Sequence, residues 1–233
     1  MRWYPRRGDQ LWEDRSMSPD DLRQSIEAAL VGRRLLSHPF YQRWEAGLLQ
    51  PGELAAYAAQ YRHFEAALPG LLRNMLAGLD PSSSAARLVA QNLADEEGNP
   101  RAHVTLFAAF ADGVGAEETA PTGATRHLLD TYARQVAAGS ASGLAALIAY
   151  ELQAPEIAAT KAAGLSAHYA LDSRATEFWD VHAHMDRDHA VWAVDALAQL
   201  EQAEAAISAA RAAADAWWAF LDERESAAAL VTA

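Results

Sequence analysis

Five residues whose side chains can bind a metal ion lie within one short segment, FWDVHAHMDRDHA: His182, His184, Asp186, Asp188 and His189. In an α-helix, which turns by about 100° per residue, Asp186 falls about 40° from His182, and His189 falls about 20° from it on the other side. His184 and Asp188 fall on the far face. The spacing His-x3-Asp-x2-His therefore predicts three metal ligands on one stripe, although a solvated polar face would have the same pattern.

Three further ionisable residues lie in two other segments. Glu96 and His103 are seven positions apart in NLADEEGNPRAH, which places them on one face if the helix continues through GNP. Glu151 stands alone in the apolar segment LAALIAYELQ, where it is either a buried carboxylate with a partner or an exposed residue of an amphipathic helix. Together the candidates suit two first-row transition ions: Glu96, His103, Glu151, His182, Asp186 and His189.

Prolines follow the candidate carboxylates at a fixed distance. Pro100 lies four residues after Glu96, and Pro155 lies four residues after Glu151. Because a proline removes the hydrogen bond to the carbonyl four residues back, the helix should be distorted at both carboxylates. Pro69 follows Glu65 at the same distance, which makes Glu65 a reserve candidate.

The composition narrows the class of protein. Of 233 residues, 51% are hydrophobic and 21% are charged, which is typical of a soluble globular domain. A formal net charge of −12 repels phosphate backbones and argues against a nucleic-acid partner. The absence of cysteine excludes disulfides, zinc–thiolate sites and a cysteine nucleophile. No segment resembles a signal peptide or a membrane span, so we expect a cytoplasmic protein without membrane partners.

The elements that must position the candidate ligands are helices. Helix-forming residues dominate from Ser18 onward, and Ser18 followed by Pro19 is typical of a helix start. We predict an all-α, single-domain bundle over residues 18–226, with an N-terminal arm over 1–17 and a C-terminal tail over 227–233. The predicted helices cover residues 19–36, 39–48, 51–79, 83–97, 101–112, 123–138, 142–164, 173–199 and 203–224.

The order Glu-x6-His, a lone Glu and His-x3-Asp-x2-His resembles the haem-oxygenase-like dimetal oxidases and oxygenases. The resemblance covers residues 20–224 and includes HPFYQRWEAGLL, YAAQYRHFEAALP and YELQAPEIAATKAAGL. It implies a haem-oxygenase-like helical bundle that binds two metal ions, iron with iron or iron with manganese. Thiaminase-type relatives need a cysteine nucleophile, which this chain lacks, and relatives of the pyrroloquinoline-quinone-synthase type bind no metal.

Within this superfamily the chain most resembles the family of the chlamydia protein associating with death domains, whose members are self-sacrificing para-aminobenzoate synthases. In that family a tyrosine in the motif His-x-Phe-Tyr-x-x-Trp supplies the aromatic ring, and HPFYQRW places it here at Tyr41. A lysine ten residues after the lone metal-binding Glu supplies the amino group, and it corresponds to Lys161, the only lysine of the chain. The alternative is that Tyr41 only packs in the core and that Lys161 is a surface residue.

The resemblance implies an oxygen-dependent oxidase that makes para-aminobenzoate for folate synthesis in a single turnover. It also implies a homodimer, dioxygen as co-substrate and an external electron donor. Tyr57, Tyr61 and Tyr150 are expected near the site, where they would relay an electron or hydrogen-bond a ligand. Two alternatives stay open. One is a dimetal oxygenase that acts catalytically on a separate amino acid, amine or fatty acid, and the other is a metal-free interaction protein on the same fold.

Overall fold

The computed structural model describes residues 17–98, 101–183 and 187–231. These residues form eleven α-helices and one 3-10 turn, and they contain no β-strand. This confirms the all-α class predicted from the sequence. In the described parts of the chain, no helix combines the length and the apolar character that crossing a membrane requires.

The helices follow one another with short connections. In chain order they are α1 (Pro19–Ala29), α2 (Pro39–Glu45), α3 (Pro51–Ala77), α4 (Ser84–Glu97), α5 (His103–Gly113), α6 (Gly123–Ala138), α7 (Ser140–Glu151), α8 (Ala154–His168), α9 (Ser173–Ala183), α10 (Arg187–Ala198) and α11 (Ala203–Val231). The 3-10 turn, Leu35–Ser37, precedes α2.

The last helix forms the spine of the bundle. Helix α11 packs along α7 and α6, and it also contacts α1, α2 and α3. A second group is formed by α9 with α8 and α5, while α3 contacts α4, α5 and α6. The largest fully buried side chains are mainly aromatic, and they include Trp44, Trp179, Trp217, Tyr41 and Tyr57. The interior is therefore a continuous aromatic core that extends across both groups of helices.

Local signals explain several helix boundaries. Ser18 caps α1 by accepting a hydrogen bond from the backbone of Asp21, and Pro19 occupies the first turn, as predicted. The helix predicted over 19–36 is wrong in length, because α1 ends at Ala29 and Gly32 follows with a φ of +76°.

The helix predicted over residues 142–164 is in fact two helices. Helix α7 ends at Glu151, and α8 begins at Ala154 with Pro155 in its first turn. A proline has no N–H to continue the preceding helix but fits the first turn of a new one. The predicted distortion at Glu151 is therefore a complete helix end. The final helix is longer than predicted and continues to Val231.

A glycine allows α8 to approach α2 closely. A Cβ atom on Gly164 would lie 3.0 Å from Trp44 Cδ1 and 3.1 Å from the Trp44 carbonyl oxygen. Trp44 Nε1 donates a hydrogen bond to the carbonyl oxygen of Lys161 at 3.3 Å. This close approach places Lys161 of α8 next to the residues of α2.

Trp217 should be essential for stability, in contrast to its neighbour Trp218. Trp217 is fully buried, stacks on Tyr150 at 4.8 Å and donates a hydrogen bond to Tyr132 Oη at 2.9 Å. Trp217→Ala should therefore lower the free energy of unfolding by about 3–5 kcal/mol, measured by urea unfolding. Trp218→Ala, at a half-buried position, is the matched control and should cost clearly less. Equal losses would contradict the packing described.

Candidate active site

Glu96 and His103 meet at the junction of two helices. Glu96 lies in the last turn of α4, and His103 is the first residue of α5. His103 Nδ1 lies 3.1 Å from Glu96 Oε1, and the two side chains are 7% and 12% exposed. The two residues therefore do not share one continuous helix, as the spacing argument required. They come together because α5 begins close to the end of α4.

His182 adds a third donor from α9. Its ring centroid lies 4.5 Å from that of His103, and donor atoms of Glu96, His103 and His182 all lie within 4.8 Å of one another. His182 Nδ1 lies 2.7 Å from the Phe178 carbonyl oxygen. A proton on Nδ1 is donated there, which leaves the lone pair of Nε2 for a metal. Burial and, to a lesser extent, His103 lower the pKa of His182 to about 3, so the imidazole is neutral at neutral pH.

Glu151 reaches the same region from the last turn of α7. It lines a small cavity together with Glu96 and Asn92, and Asn92 Nδ2 donates a hydrogen bond to Glu151 Oε1 at 2.8 Å. Burial and, to a lesser extent, the charge of Glu96 raise the pKa of Glu151 to about 7. Glu151 is therefore not an exposed residue of an amphipathic helix. Two carboxyl groups that face one cavity repel each other when ionised, and a bound cation would remove that repulsion.

Two of the six predicted ligands cannot be placed. Asp186 lies outside the described residues, as does His184. His189 and Asp188 belong to α10, but their side chains also lie outside the description. The single stripe of His182, Asp186 and His189 therefore stays a prediction, as does the continuity of the helix predicted over residues 173–199.

The donors that are placed fit a transition-metal centre. They comprise two imidazoles and two carboxylates, the ligand types that suit iron and manganese. Donor atoms around one ion are separated by up to about 4 Å, because each metal–ligand bond is about 2.0–2.2 Å long. The 4.8 Å limit that contains Glu96, His103 and His182 is close to this separation. A small rearrangement of side chains would bring all three onto one ion.

A second cluster surrounds Lys161, which is only 1% exposed. Its Nζ donates a hydrogen bond to Tyr57 Oη at 2.7 Å, and Tyr57 Oη lies 2.9 Å from Tyr41 Oη. The same Nζ lies 4.4 Å from the centroid of the Tyr41 ring and 4.0 Å from that of Trp179. Lys161 is therefore not a surface residue. The structure brings it together with Tyr41, and the Tyr57 hydroxyl contacts both the Lys161 amine and the Tyr41 hydroxyl.

The environment of Lys161 favours an uncharged amine. Burial lowers the pKa of Lys161 well below its usual value, although the charge of Glu65 opposes the change. Among the described residues, its hydrogen-bond partner is the Tyr57 hydroxyl rather than a carboxylate. Burial also raises the pKa values of Tyr41 and Tyr57. Burial in this cluster therefore favours neutral phenols and an uncharged amine, and an uncharged amine is a nucleophile.

Aromatic residues connect the metal donors with the lysine cluster. Trp179 contacts the Lys161 amine and lies three residues before His182 on α9. The Tyr61 ring lies 5.8 Å from the Trp179 ring, and the Tyr61 hydroxyl lies 2.8 Å from that of Tyr150. Tyr57, Tyr61 and Tyr150 therefore all lie in the region where they were expected. Aromatic rings, including that of Trp179, therefore form a short path between the metal donors and the Lys161 cluster.

Sequence reasoning missed three residues that contact these clusters. Asn92 lies four residues before Glu96 in α4, so helical spacing would have placed it on the ligand face. Trp179 precedes His182 by three residues and could have been found in the same way. Trp44 likewise follows Tyr41 by three residues in α2. Its contact with Lys161 depends on the packing of α2 against α8, which no local pattern of residues predicts.

Comparison with known proteins places this chain among redox enzymes. Residues 55–220 match the family described as iron-containing redox enzymes. The chain is 35% identical to a 4-aminobenzoate synthase from Nitrosomonas europaea, over 88% of this chain and 92% of that relative. It is 32% identical to a 4-aminobenzoate synthase from Chlamydia pneumoniae, over 84% of this chain and 91% of that relative.

Solved structures share the fold. A TenA homologue from Pseudomonas syringae pv. tomato superposes with a TM-score of 0.77 at 14% identity, covering 96% of this chain and 99% of that one. A domain with a haem-oxygenase-like fold from Shewanella denitrificans gives 0.71 at 14% identity, covering 92% of this chain and 93% of that one. At such identities the likeness shows the fold alone. It confirms the haem-oxygenase-like bundle expected from the sequence.

In the metal-free protein, Glu151→Gln should increase the free energy of unfolding at about pH 8 but not at about pH 4. The folded-state pKa of about 7 lies above the usual 4.5. Wild-type protein therefore has the full stabilisation from protonated Glu151 below pH 4.5, and loses it as the pH rises through 7. The expected difference between the variants is about 2–3 kcal/mol in urea unfolding with a chelator present.

The matched control for this prediction is Asp95→Asn. Asp95 lines the same cavity but accepts a hydrogen bond from Gln91 in a solvent-exposed contact. This variant should show no comparable pH dependence relative to wild type. The same response in both variants would contradict the assignment to Glu151.

Proposed function

The chain belongs to the family of iron-containing redox enzymes, and from this premise we propose that it is an oxygen-dependent para-aminobenzoate synthase that consumes its own Tyr41. The observation that carries the proposal is the burial of the chain's only lysine against Tyr41 and Tyr57. The relatives from Nitrosomonas europaea and Chlamydia pneumoniae support the product, because 4-aminobenzoate is another name for para-aminobenzoate.

The atoms of a tyrosine side chain match those of the product. Para-aminobenzoate is a benzene ring with a carboxylate carbon and, para to it, a nitrogen. The Tyr41 side chain is a benzene ring with Cβ and, para to it, the phenolic oxygen. Conversion requires cleavage of the Cα–Cβ bond, oxidation of Cβ to a carboxylate and replacement of the phenolic oxygen, which leaves as water, by nitrogen. When the nitrogen comes from Lys161, its Nζ–Cε bond must also break: oxidation of Cε gives an imine, and hydrolysis of the imine releases the amine of the product and leaves an aldehyde on the chain. Dioxygen is the oxidant in this proposal, and an external reductant supplies the remaining electrons.

Lys161 is placed to supply the nitrogen. Its Nζ lies over the Tyr41 ring, and the Tyr57 hydroxyl lies between the amine and the Tyr41 hydroxyl. A hydroxyl in that position can accept a proton from one neighbour and donate one to the other. The surrounding rings of Trp44 and Trp179 exclude water, and this burial lowers the pKa of the Lys161 amine well below its usual value. Once dioxygen has oxidised the Tyr41 ring to an electrophilic, quinone-type form, the local geometry favours attack of the amine on that ring.

The residues that would hold the metal centre are Glu96, His103, Glu151 and His182, with the predicted ligands Asp186 and His189. Two ions, iron with iron or iron with manganese, would supply the chemistry that activates dioxygen. The chain's contribution is to orient the ligands: the Asn92 amide holds Glu151, and the Phe178 carbonyl holds His182. Such contacts fix the direction of a ligand lone pair before a metal binds.

Other aspects of the proposal stay predictions. They are the homodimer, the external electron donor, the cytoplasmic location, and the lack of nucleic-acid and membrane partners. A catalytic oxygenase acting on a separate amino acid, amine or fatty acid would differ in its yield, because each chain would then release many product molecules. A metal-free interaction protein would bind no iron at all.

Tyr41→Phe should abolish product formation. Iron-loaded wild-type protein, given a reductant and air, should release no more than a single equivalent of para-aminobenzoate per chain, measured by liquid chromatography and mass spectrometry. Phenylalanine preserves the packing of the ring but lacks the phenolic oxygen that nitrogen must replace. The control is Tyr132→Phe, at another buried tyrosine whose hydroxyl is hydrogen-bonded. Many equivalents from wild type, or an unchanged yield from Tyr41→Phe, would contradict self-consumption.

The amino donor can be tested with an isotope label. Since Lys161 is the only lysine, growth on lysine whose side-chain nitrogen is the heavy isotope labels one amine in the chain. Para-aminobenzoate from this protein should carry the heavy nitrogen. Lys161→Met, with a side chain of similar length, should make no product while it still binds iron. Unlabelled product from labelled protein would exclude Lys161 as the donor.

A further inference from the structure

Glu65 is a buried carboxylate that the chemistry proposed above does not use. It lies in the middle of α3 and is 4% exposed. Its Oε2 meets no hydrogen-bond partner among the residues that the structure describes. The carboxyl group has a hydrogen bond with Tyr61, so one of its two oxygens is left without a partner. Burying that oxygen is costly, and a bound cation is one of the few groups that offset the cost. The position of Glu65 relative to the metal donors therefore matters.

Helices α3 and α5 run in opposite directions. Near the end of α3, Arg73 forms an ion pair with Glu97, which precedes the start of α5. Earlier in α3, Tyr61 stacks on Phe107 of α5, with ring centroids 5.1 Å apart. Moving forward along α3 therefore corresponds to moving backward along α5.

This arrangement places Glu65 level with a metal donor. Glu65 lies one turn after Tyr61, and His103 lies one turn before Phe107. Because the helices are antiparallel and the Tyr61 and Phe107 rings are in contact, Glu65 and His103 occupy the same level on facing sides. The next turns of α3 contribute Leu68 and Leu72 to the wall of the cavity that Glu96 and Glu151 line. Glu65 thus stands at the edge of the candidate metal centre.

The charges around Glu65 agree with this placement. Burial and, next, the charge of Glu96 raise the pKa of Glu65 well above its usual value, while Tyr61 and Lys161 oppose the change. Glu65 is therefore within electrostatic reach of a metal donor on one side and of the amine on the other. Without a metal, burial favours the protonated, uncharged form of this carboxyl group. A divalent ion in the same place would take over from that proton.

We propose that Glu65 is a further carboxylate ligand of the metal centre, reaching it from α3. The inference rests on the proposed metal centre and extends it. The predicted set contains three carboxylates, from Glu96, Glu151 and Asp186, together with three imidazoles that are neutral as ligands. With Glu65 there are four negative charges, which balance the charge of two divalent ions in a site of low dielectric constant.

The test is an anaerobic titration of the full-length, metal-free chain with ferrous iron, followed by Mössbauer spectroscopy. Glu65→Gln should lower the affinity for one of the two ions by on the order of 10- to 100-fold or more and change the spectrum of that ion. Glu65 and Asp112 both line a groove between α3 and α5, but Asp112 is exposed. Asp112→Asn is therefore the matched control. It should behave like wild type.

The outcomes separate this inference from the proposed metal centre. Wild-type affinity and an unchanged spectrum in Glu65→Gln, while the wild-type chain binds two ions, would overturn the role of Glu65 and leave the centre intact. A wild-type chain that binds no iron would overturn the centre itself, and Glu65 with it. Glu96→Gln provides the reference for losing a ligand.

Folding of the variant can be checked independently. Because Glu65→Gln removes a buried carboxyl group, the metal-free variant should melt at or above the wild-type temperature at alkaline pH. If it does not fold, Glu65→Asp decides the question, since it keeps the charge but withdraws the carboxylate by one methylene group. A changed spectrum for one ion in Glu65→Asp would support ligation, and an unchanged spectrum would overturn it.

Discussion

The free-energy cost of keeping ionisable groups inside an aromatic helical bundle governs the interior of this protein. Glu65, Glu151, His182 and Lys161 all lie in the interior, and burial is the largest influence on the pKa of each. Burial favours the uncharged form of every one of them. In the metal-free interior, burial therefore favours protonated carboxyl groups, a neutral imidazole and a neutral amine, and a bound metal pair would return the carboxylates to their charged state.

The candidate metal ligands come together at the ends of helices. Glu96 and Glu151 both occupy the last turn of a helix, and His103 occupies the first residue of one. There the chain leaves one helix for the next, so side chains of successive helices can meet, as those of Glu96 and His103 do. The backbone there also has unpaired polar groups, so the chain must turn or find other partners. The ends of α4 and α7 consequently line one cavity, and the start of α5 meets the end of α4 beside it.

The sequence predicted the elements better than their junctions. Helices α3, α4 and α6 lie close to their predicted ranges, because prolines, serines and glycines give strong start and stop signals. At the break between α7 and α8 the sequence predicts only a distorted helix, since a proline alone does not distinguish a kink from a helix end. Helical phase likewise placed Glu96 and His103 together for the wrong reason. Contacts such as Asn92 with Glu151 depend on the packing of distant segments, which local patterns do not encode.

The packing around Tyr41 bears on which ring is oxidised. Tyr41, Tyr57, Trp44 and Trp179 are each no more than 1% exposed, and their rings contact one another or the Lys161 amine. A separate aromatic substrate would have to displace these side chains and disrupt their edge and stacking contacts. A ring that is already part of the chain needs no such displacement, and its position is set by folding rather than by binding. Each chain, however, has this ring only once. A substrate that is packed into the core as part of the chain therefore implies a single turnover.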